Sequence, residues 1–433
     1  MNYDNLSRIK ISKTSLPMTS FAGLPMLLEM AYHLGITKEV NTIPGLQERK
    51  RKHDPADYLM SLMLTLASGG DTLDEVDVIR KDPGLNKIVG DIAAPNSIGE
   101  FLRRFDRSSA YRLSKISSRI AVENLKRKNL NEITLDIDSS LIEANKIDAH
   151  KTYKGFPGYN PLLVWIAEAN VWLSGVFRQG NSSPQSHLVS LLKRCVRLIP
   201  QGTKLRLRSD SAGFQTKLMD FCHKQNILFA IRAKHDDAIN TSIENIPENA
   251  WKIIETKKEC YAIAETVHAM NNNPKTTIPA FRLIVKRKFT GQLELFKNLF
   301  VDYPVITNAP ADWSMEQVLA FYNARGNMEK AIGVLKNETG LCQIPCGNLL
   351  ANTAYFQTTL LTYNLLQLFK LQALPCDWYH FGWAKLRYRL IGQAALIVSH
   401  ARDVVLKLAR DYVYYPIFYD ARWAVFRLSY AFS

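Results

Sequence analysis

Three acids in this sequence stand where strand ends and a helix face could gather them: Asp138, Asp210 and Glu329. Carboxylate oxygens suit hard cations such as Mg²⁺ or Mn²⁺, which keep waters and need few protein ligands beside a substrate phosphate. Two such ions about 3.5–4 Å apart can activate a water or a 3′-hydroxyl and stabilise the leaving oxygen of an in-line displacement. Glu329 falls in the pattern Tyr322-x-x-Arg325-x-x-x-Glu329-x-x-x-x-x-x-Lys336. At 100° per residue these four lie within about 60° of one another on a helix. Met328, Ala331 and Leu335 occupy the adjoining face, suited to packing on a sheet. An aromatic hydroxyl, two cations and a carboxylate in one stripe can serve a metal and a phosphate backbone together, with Arg325 and Lys336 on phosphates. A solvated stripe with i,i+4 pairs has the same spacing. A single acid at a strand end is as readily a cap or a surface charge, so spacing alone leaves both readings open.

The elements that must position these groups are legible in outline. Up to about residue 128 the pattern is helical: Leu24, Leu27, Leu28, Ala31 and Leu34 recur at helical spacing. A second apolar helix opens at Pro55 and closes near Gly69-Gly70. Ser97 with Glu100 has the form of a capping box. Glu132 to Asp138 then alternates as a strand, with Asp136 and Asp138 on one face. Strands are expected at Leu162–Ala167, Val171–Arg178, Lys204–Arg208 and Ile227–Ala233, and helices at His187–Leu198 and Gln215–Gln225. The order β, β, β, α, β, α, β is that of an RNase H-like fold. Residues 236–312 hold strand-like pieces around Tyr261–Thr266, Arg282–Lys286, Gln292–Asp302 and Val305–Thr307, read as a mostly β insertion. Helix returns at Ser314, where Ser314 and Gln317 form another capping box. The fold class is therefore α/β. The expected division is a helical N-terminal DNA-binding region over 1–128, the first part of the core over 129–235 and the insertion over 236–312. The core helix with the third carboxylate over 313–348 and a helical C-terminal region over 349–433 complete it.

The chain has 433 residues, with 55 Lys and Arg against 40 Asp and Glu, a formal charge of +15. That balance favours a polyanionic partner, nucleic acid above all, without proving one. Six scattered cysteines make no CxxC pair, and Cys342/Cys346 has no matching histidines, so reduced thiols are expected rather than structural zinc. The start, MNYDNLSRIKISK, lacks an apolar stretch of the signal-peptide kind, and no long apolar run predicts a membrane span. A cytoplasmic protein is expected.

The Tyr322–Lys336 stripe resembles the helix signature of a large branch of insertion-sequence DDE transposases. Tyr322-Asn323-Ala324-Arg325-Gly326 is similar to the form found in one subgroup. So are Leu135-Asp136-Ile137-Asp138-Ser139-Ser140, Gly158-Tyr159-Asn160-Pro161 and Arg208-Ser209-Asp210-Ser211-x-x-Phe214. Ala22-Gly23-Leu24 and the Ser97-to-Phe105 stretch share this likeness, which covers nearly the whole chain. Position 140 is usually Thr in the subgroup and is Ser here, which keeps the hydroxyl. The resemblance implies that Asp138, Asp210 and Glu329 form a catalytic, metal-binding triad with Mg²⁺ or Mn²⁺. It implies that Tyr322, Arg325 and Lys336 contact DNA near the cleaved phosphate. Asp136 is the rival for the first carboxylate; small or hydroxyl residues directly after the acid favour Asp138.

Some relatives stack a flipped base on a tryptophan, and Trp251 and Trp313 are the candidates, with a core position as the plainer role of each. The implied partner is double-stranded DNA with terminal inverted repeats, held by a dimer that pairs two ends. Other readings are a domesticated DNA-binding protein without catalysis and an RNase H-like nuclease that cuts without joining. Intact acids at all three positions speak against the first, and the full helix signature against the second. The helical, basic N-terminal region is expected to read the DNA ends. Lys385, Arg387, Arg389, Arg402, Lys407 and Arg410 offer a rival C-terminal surface.

Overall fold

A computed structural model describes residues 9–47, 52–256, 259–270, 278–289, 300–401 and 403–431. Arg49, Lys50, Arg51, Arg402 and the start of the strand expected at Gln292 lie outside the described residues.

The chain is mixed α/β and centres on a nine-stranded sheet. Its first strand, β1 (Glu132–Ser139), pairs antiparallel with β2 (Leu162–Ile166), and β2 with the edge strand β3 (Val171–Val176). On its other side β1 runs parallel to β4 (Lys204–Ser209), which runs parallel to β5 (Leu228–Arg232). Alternation along the strands divides the apolar residues between two faces. Ile133, Leu135, Ile137, Leu162 and Val164 pack under helices α1 (Leu188–Val196) and α2 (Thr216–Lys224). Leu163, Trp165 and Trp172 face the opposite way, into the larger core of the N- and C-terminal helices.

The strands expected at Tyr261–Thr266, Arg282–Lys286 and Val305–Thr307 form and continue the same sheet. β6 (Lys252–Glu255), β7 (Cys260–His268), β8 (Phe281–Phe289) and β9 (Phe300–Thr307) make an antiparallel run, joined to the core by β9 pairing with β5. Local alternation marks these segments as strands; their place in a sheet depends on long-range pairing that periodicity does not encode.

Two local expectations differ from the structure. The helix near Ser97 starts at Pro95 with Ala94 as its N-cap, so Ser97 and Glu100 lie inside it. Proline at the first helical position supplies the start, because its missing N–H would have had no partner there. The C-terminal region, expected as helical, also holds the hairpin Ala395–His400 with Asp403–Leu408, and Met18–Thr19 adds a third strand. Short runs such as Val404-Val405-Leu406 read ambiguously as helix or strand.

The larger core is continuous. It joins the helices of the first 128 residues to the long helix α3 (Leu349–Ala373) and to the last helix, Tyr415–Ala431. Among the described residues no helix is long and apolar enough to cross a membrane.

Candidate active site

Parallel pairing of β1, β4 and β5 sends their C-terminal ends to one edge of the sheet. Asp138 is the penultimate residue of β1, and Asp210 follows β4 directly. The Asp210 carboxylate accepts from the Ala212 N–H at 3.0 Å, capping a short turn over Ser211–Gly213. Glycine is needed at 213, where a Cβ would come within 2.6 Å of Ser209.

Asp136 and Asp138 share a strand face but not an environment. Asp136 is fully buried and accepts two hydrogen bonds from Arg208, at 2.6 and 2.7 Å. Arg208 also donates to the carbonyl of Phe321 at 2.9 Å. The pair thus ties β1 and β4 to α4 (Met315–Asn323). Burial pushes the Asp136 carboxyl up to about 6 while Arg208 pulls it back. Asp138 is partly exposed at the rim. Burial and then the facing charge of Asp210 push it up to about 6, against the pull of Arg325.

The stripe expected on one long helix is carried on two. α4 ends at Asn323 and α5 (Gly326–Asn337) begins three residues later. Between them, Arg325 N–H bonds to Tyr322 O at 3.0 Å and Met328 N–H to Arg325 O at 2.9 Å, i→i−3 bonds that tighten the turn. Arg325 occupies this corner. Its Nη1 donates to Asp138 Oδ2 at 2.7 Å and its Nη2 to Glu329 Oε1 at 2.8 Å. Burial opposes the Arg325 charge, but Asp138, Tyr322, Glu329 and Asp210 outweigh it and hold its pKa above the ordinary value. Burial raises the Tyr322 phenol, while the cations of Arg325 and Arg232 lower it and Asp210 raises it further. Lys336 stands apart: its Nζ donates to the carbonyl of Leu141 at 2.6 Å, and burial lowers its pKa.

One cation at this edge was not singled out from the sequence. Arg232 ends β5, beside β4, and its guanidinium lies 4.5 Å from the centre of the Tyr303 ring. Burial lowers its pKa, only partly offset by the nearby phenols of Tyr322 and Tyr303. A strand ending in Arg was the available signal; only the parallel pairing brings that end to the rim where β4 ends. The tryptophans sit in packing contacts. Trp251 carries the Arg287 guanidinium at 3.9 Å, and Trp313 meets Phe321 edge-on at 5.7 Å.

Three carboxylates are the donor chemistry that a hard divalent cation takes. In this arrangement, however, no three His, Cys, Asp or Glu side chains among the described residues converge closely enough to hold one. The cation between Asp138 and Glu329 is the Arg325 guanidinium. The acids supply the donor type, and the Arg325 guanidinium lies between two of them.

Residues 2–430 match the family described as Transposase DDE domain group 1. No curated protein matches the chain. Among solved structures the chain is similar to the piggyBac transposase in its synaptic complex with hairpin DNA. The identity is 10% and the TM-score 0.40, over 78% of this chain and 75% of that one, too distant to bear on function.

Proposed function

The chain belongs to the DDE transposase family, and from that premise we propose that Asp138, Asp210 and Glu329 are its catalytic, metal-binding carboxylates. As a DNA transposase it performs metal-dependent DNA cleavage and strand transfer. The observation that carries the residue assignment is the sheet edge. Parallel strands bring Asp138 and Asp210 to one rim, and Arg325 links Asp138 to Glu329 there. The RNase H-like reading of the core is supported by β1 standing between an antiparallel pair and two parallel strands. In this reading β6–β9 are the insertion before the third acid.

Bound at the rim, Mg²⁺ or Mn²⁺ would activate the attacking oxygen and neutralise charge on the leaving one. The chain's own side chains do the rest. Asp138, deprotonated, would offer oxygen ligands from a rigid strand. Tyr322 and Arg325, with Arg232 beside them, hold the backbone phosphate in line. Lys336 meets a phosphate further along and keeps Leu141, just beyond Asp138, in place. The finer reading is a transposase of a bacterial insertion element, acting in the cytoplasm on double-stranded DNA with terminal inverted repeats. Two protomers pair two ends, with residues 1–128 as the DNA-reading region. The test is incubation of the protein with its element's end DNA and Mg²⁺. Nicking and strand transfer are expected. Both should be lost, with DNA binding kept, in Asp138→Asn, Asp210→Asn and Glu329→Gln. Wild-type nicking by any one of these removes that residue from the triad.

A further inference from the structure

We propose that Arg325 is the counter-cation of Asp138 and Glu329, and that it and a divalent ion compete for these carboxylates until a DNA phosphate draws Arg325 away. The inference rests on the triad reading above and concerns how that site is kept from loading metal without DNA.

The geometry is specific. Both oxygens of Asp138 are engaged, Oδ1 by the Ser139 N–H at 2.7 Å and Oδ2 by Arg325 Nη1 at 2.7 Å. The other arm of the same guanidinium takes Glu329 Oε1 at 2.8 Å. One planar fork therefore spans two of the three acids, as its fixed donor directions allow. The Arg325 side chain is only 16% exposed, against 60% for Glu329. Its place at the tight corner between α4 and α5 keeps the fork at the rim.

An ion arriving between Asp138 and Glu329 must displace this fork and meets its positive charge while doing so. A phosphate removes both obstacles. Guanidinium binds phosphate in a bidentate, charge-assisted manner as readily as it binds carboxylate, and Arg232, at the end of β5, adds a second cation at the same rim. The carboxylates left behind then face one another without a counter-charge, which favours the ion. DNA and metal thus bind with positive coupling, and Arg325 carries part of it.

The test is a titration of the full chain with Mn²⁺ alone, without DNA, read by calorimetry. Arg325→Gln is expected to bind Mn²⁺ about tenfold more tightly than wild type, as for loss of a competitor worth one factor of ten. Arg325→Lys, which keeps the charge but cannot span both acids, should fall between. Melting in EDTA should be lower for Arg325→Gln than for wild type and recover when Mn²⁺ is added. If Arg325→Gln does not fold, the Lys variant carries the test, and affinity no tighter than wild type overturns the proposal. Equal, weaker or unmeasurable Mn²⁺ binding by Arg325→Gln also overturns it. The Asp138→Asn/Arg325→Gln double variant separates the two claims. If it binds Mn²⁺ as tightly as Arg325→Gln alone, the triad assignment has failed. If it loses binding while Arg325→Gln shows no gain, the triad stands and the competition is wrong.

Discussion

At the scale of residues, two aspartates two positions apart stand in different surroundings. Asp136 is sealed in a two-hydrogen-bond pair with Arg208. Removing one partner of such a pair strands a buried charge, at a cost of about 3–5 kcal/mol. Asp136→Ala should therefore lower the melting temperature sharply, whereas Asp138→Asn should melt no lower than wild type and fail to cut. The reverse pattern in parallel melting and nicking assays would make Asp136 the first carboxylate. Asp138 also sets a pH dependence. Its folded value of about 6 lies above the ordinary 3.8, so the fold favours its neutral form. The stabilisation is complete below the ordinary value and is lost as pH rises through about 6. In EDTA, Asp138→Asn should match wild type near pH 4 and melt higher than wild type at pH 7.5. A constant difference across that range would mean that Asp138 is not held up by burial and Asp210. Arg232→Ala makes a separate claim. Loss of one phosphate contact should reduce the slope of log K against log salt by about one unit without changing sequence preference, and an unchanged slope would remove it from the DNA surface.

At the scale of elements, the long helix α3 solves a problem created by the sheet. β3 is an edge strand, and its outward backbone groups need partners once buried. Asn364 supplies them: its Oδ1 accepts from the Trp172 N–H at 2.9 Å, and its Nδ2 donates to the Trp172 carbonyl at 2.8 Å. Gln357 donates to the Gly175 carbonyl at 3.0 Å. A Cβ at 175 would lie 2.6 Å from the Phe356 ring, so glycine lets helix and strand approach. Asn364→Leu leaves two buried groups unpaired, each costing about 1–3 kcal/mol, and urea unfolding should show a loss of that order. A loss below about 0.5 kcal/mol would mean that water reaches Trp172 and replaces the side chain.

At the scale of the whole molecule, the first 128 residues are not a detachable arm. Leu27, Leu59 and Phe101 share one core with Phe356, Leu361 and Phe369 of α3, so deleting them would expose that core and test stability instead of recognition. Point changes on the exposed face of the helix Arg107–Lys128 avoid this: Arg107, Arg112 and Lys115 all face solvent. Their joint replacement by Gln should narrow the affinity ratio between end DNA and scrambled DNA by about tenfold or more, since good base contacts are worth about 1–3 kcal/mol each. An unchanged ratio in competition binding would move DNA reading off this face. The rival C-terminal cations are partly committed elsewhere. Arg387 donates to the carbonyls of Leu66 and Ala67 at the end of the helix Pro55–Ser68, and Arg389 packs 4.8 Å from the Phe381 ring.

Much of this was legible in the chain itself, because the signals were local. Alternation from Glu132 to Asp138 marks a strand, the Ser314–Gln317 box marks a helix start, and Gly69 marks a helix end at φ 109°. The residue types at 138, 210 and 329 name oxygen ligands, and the spacing from Tyr322 to Lys336 names a stripe. What separated Asp136 from Asp138 was Arg208, which is 72 positions away in sequence from Asp136. What put Arg232 beside Tyr322 was the parallel register of β4 and β5. What turned one helix into two, with Arg325 at the corner, was a backbone turn that ideal helical spacing does not anticipate. Local periodicity determines which face a side chain takes. Burial and ion pairing depend on groups distant in sequence, so only the tertiary structure could decide them.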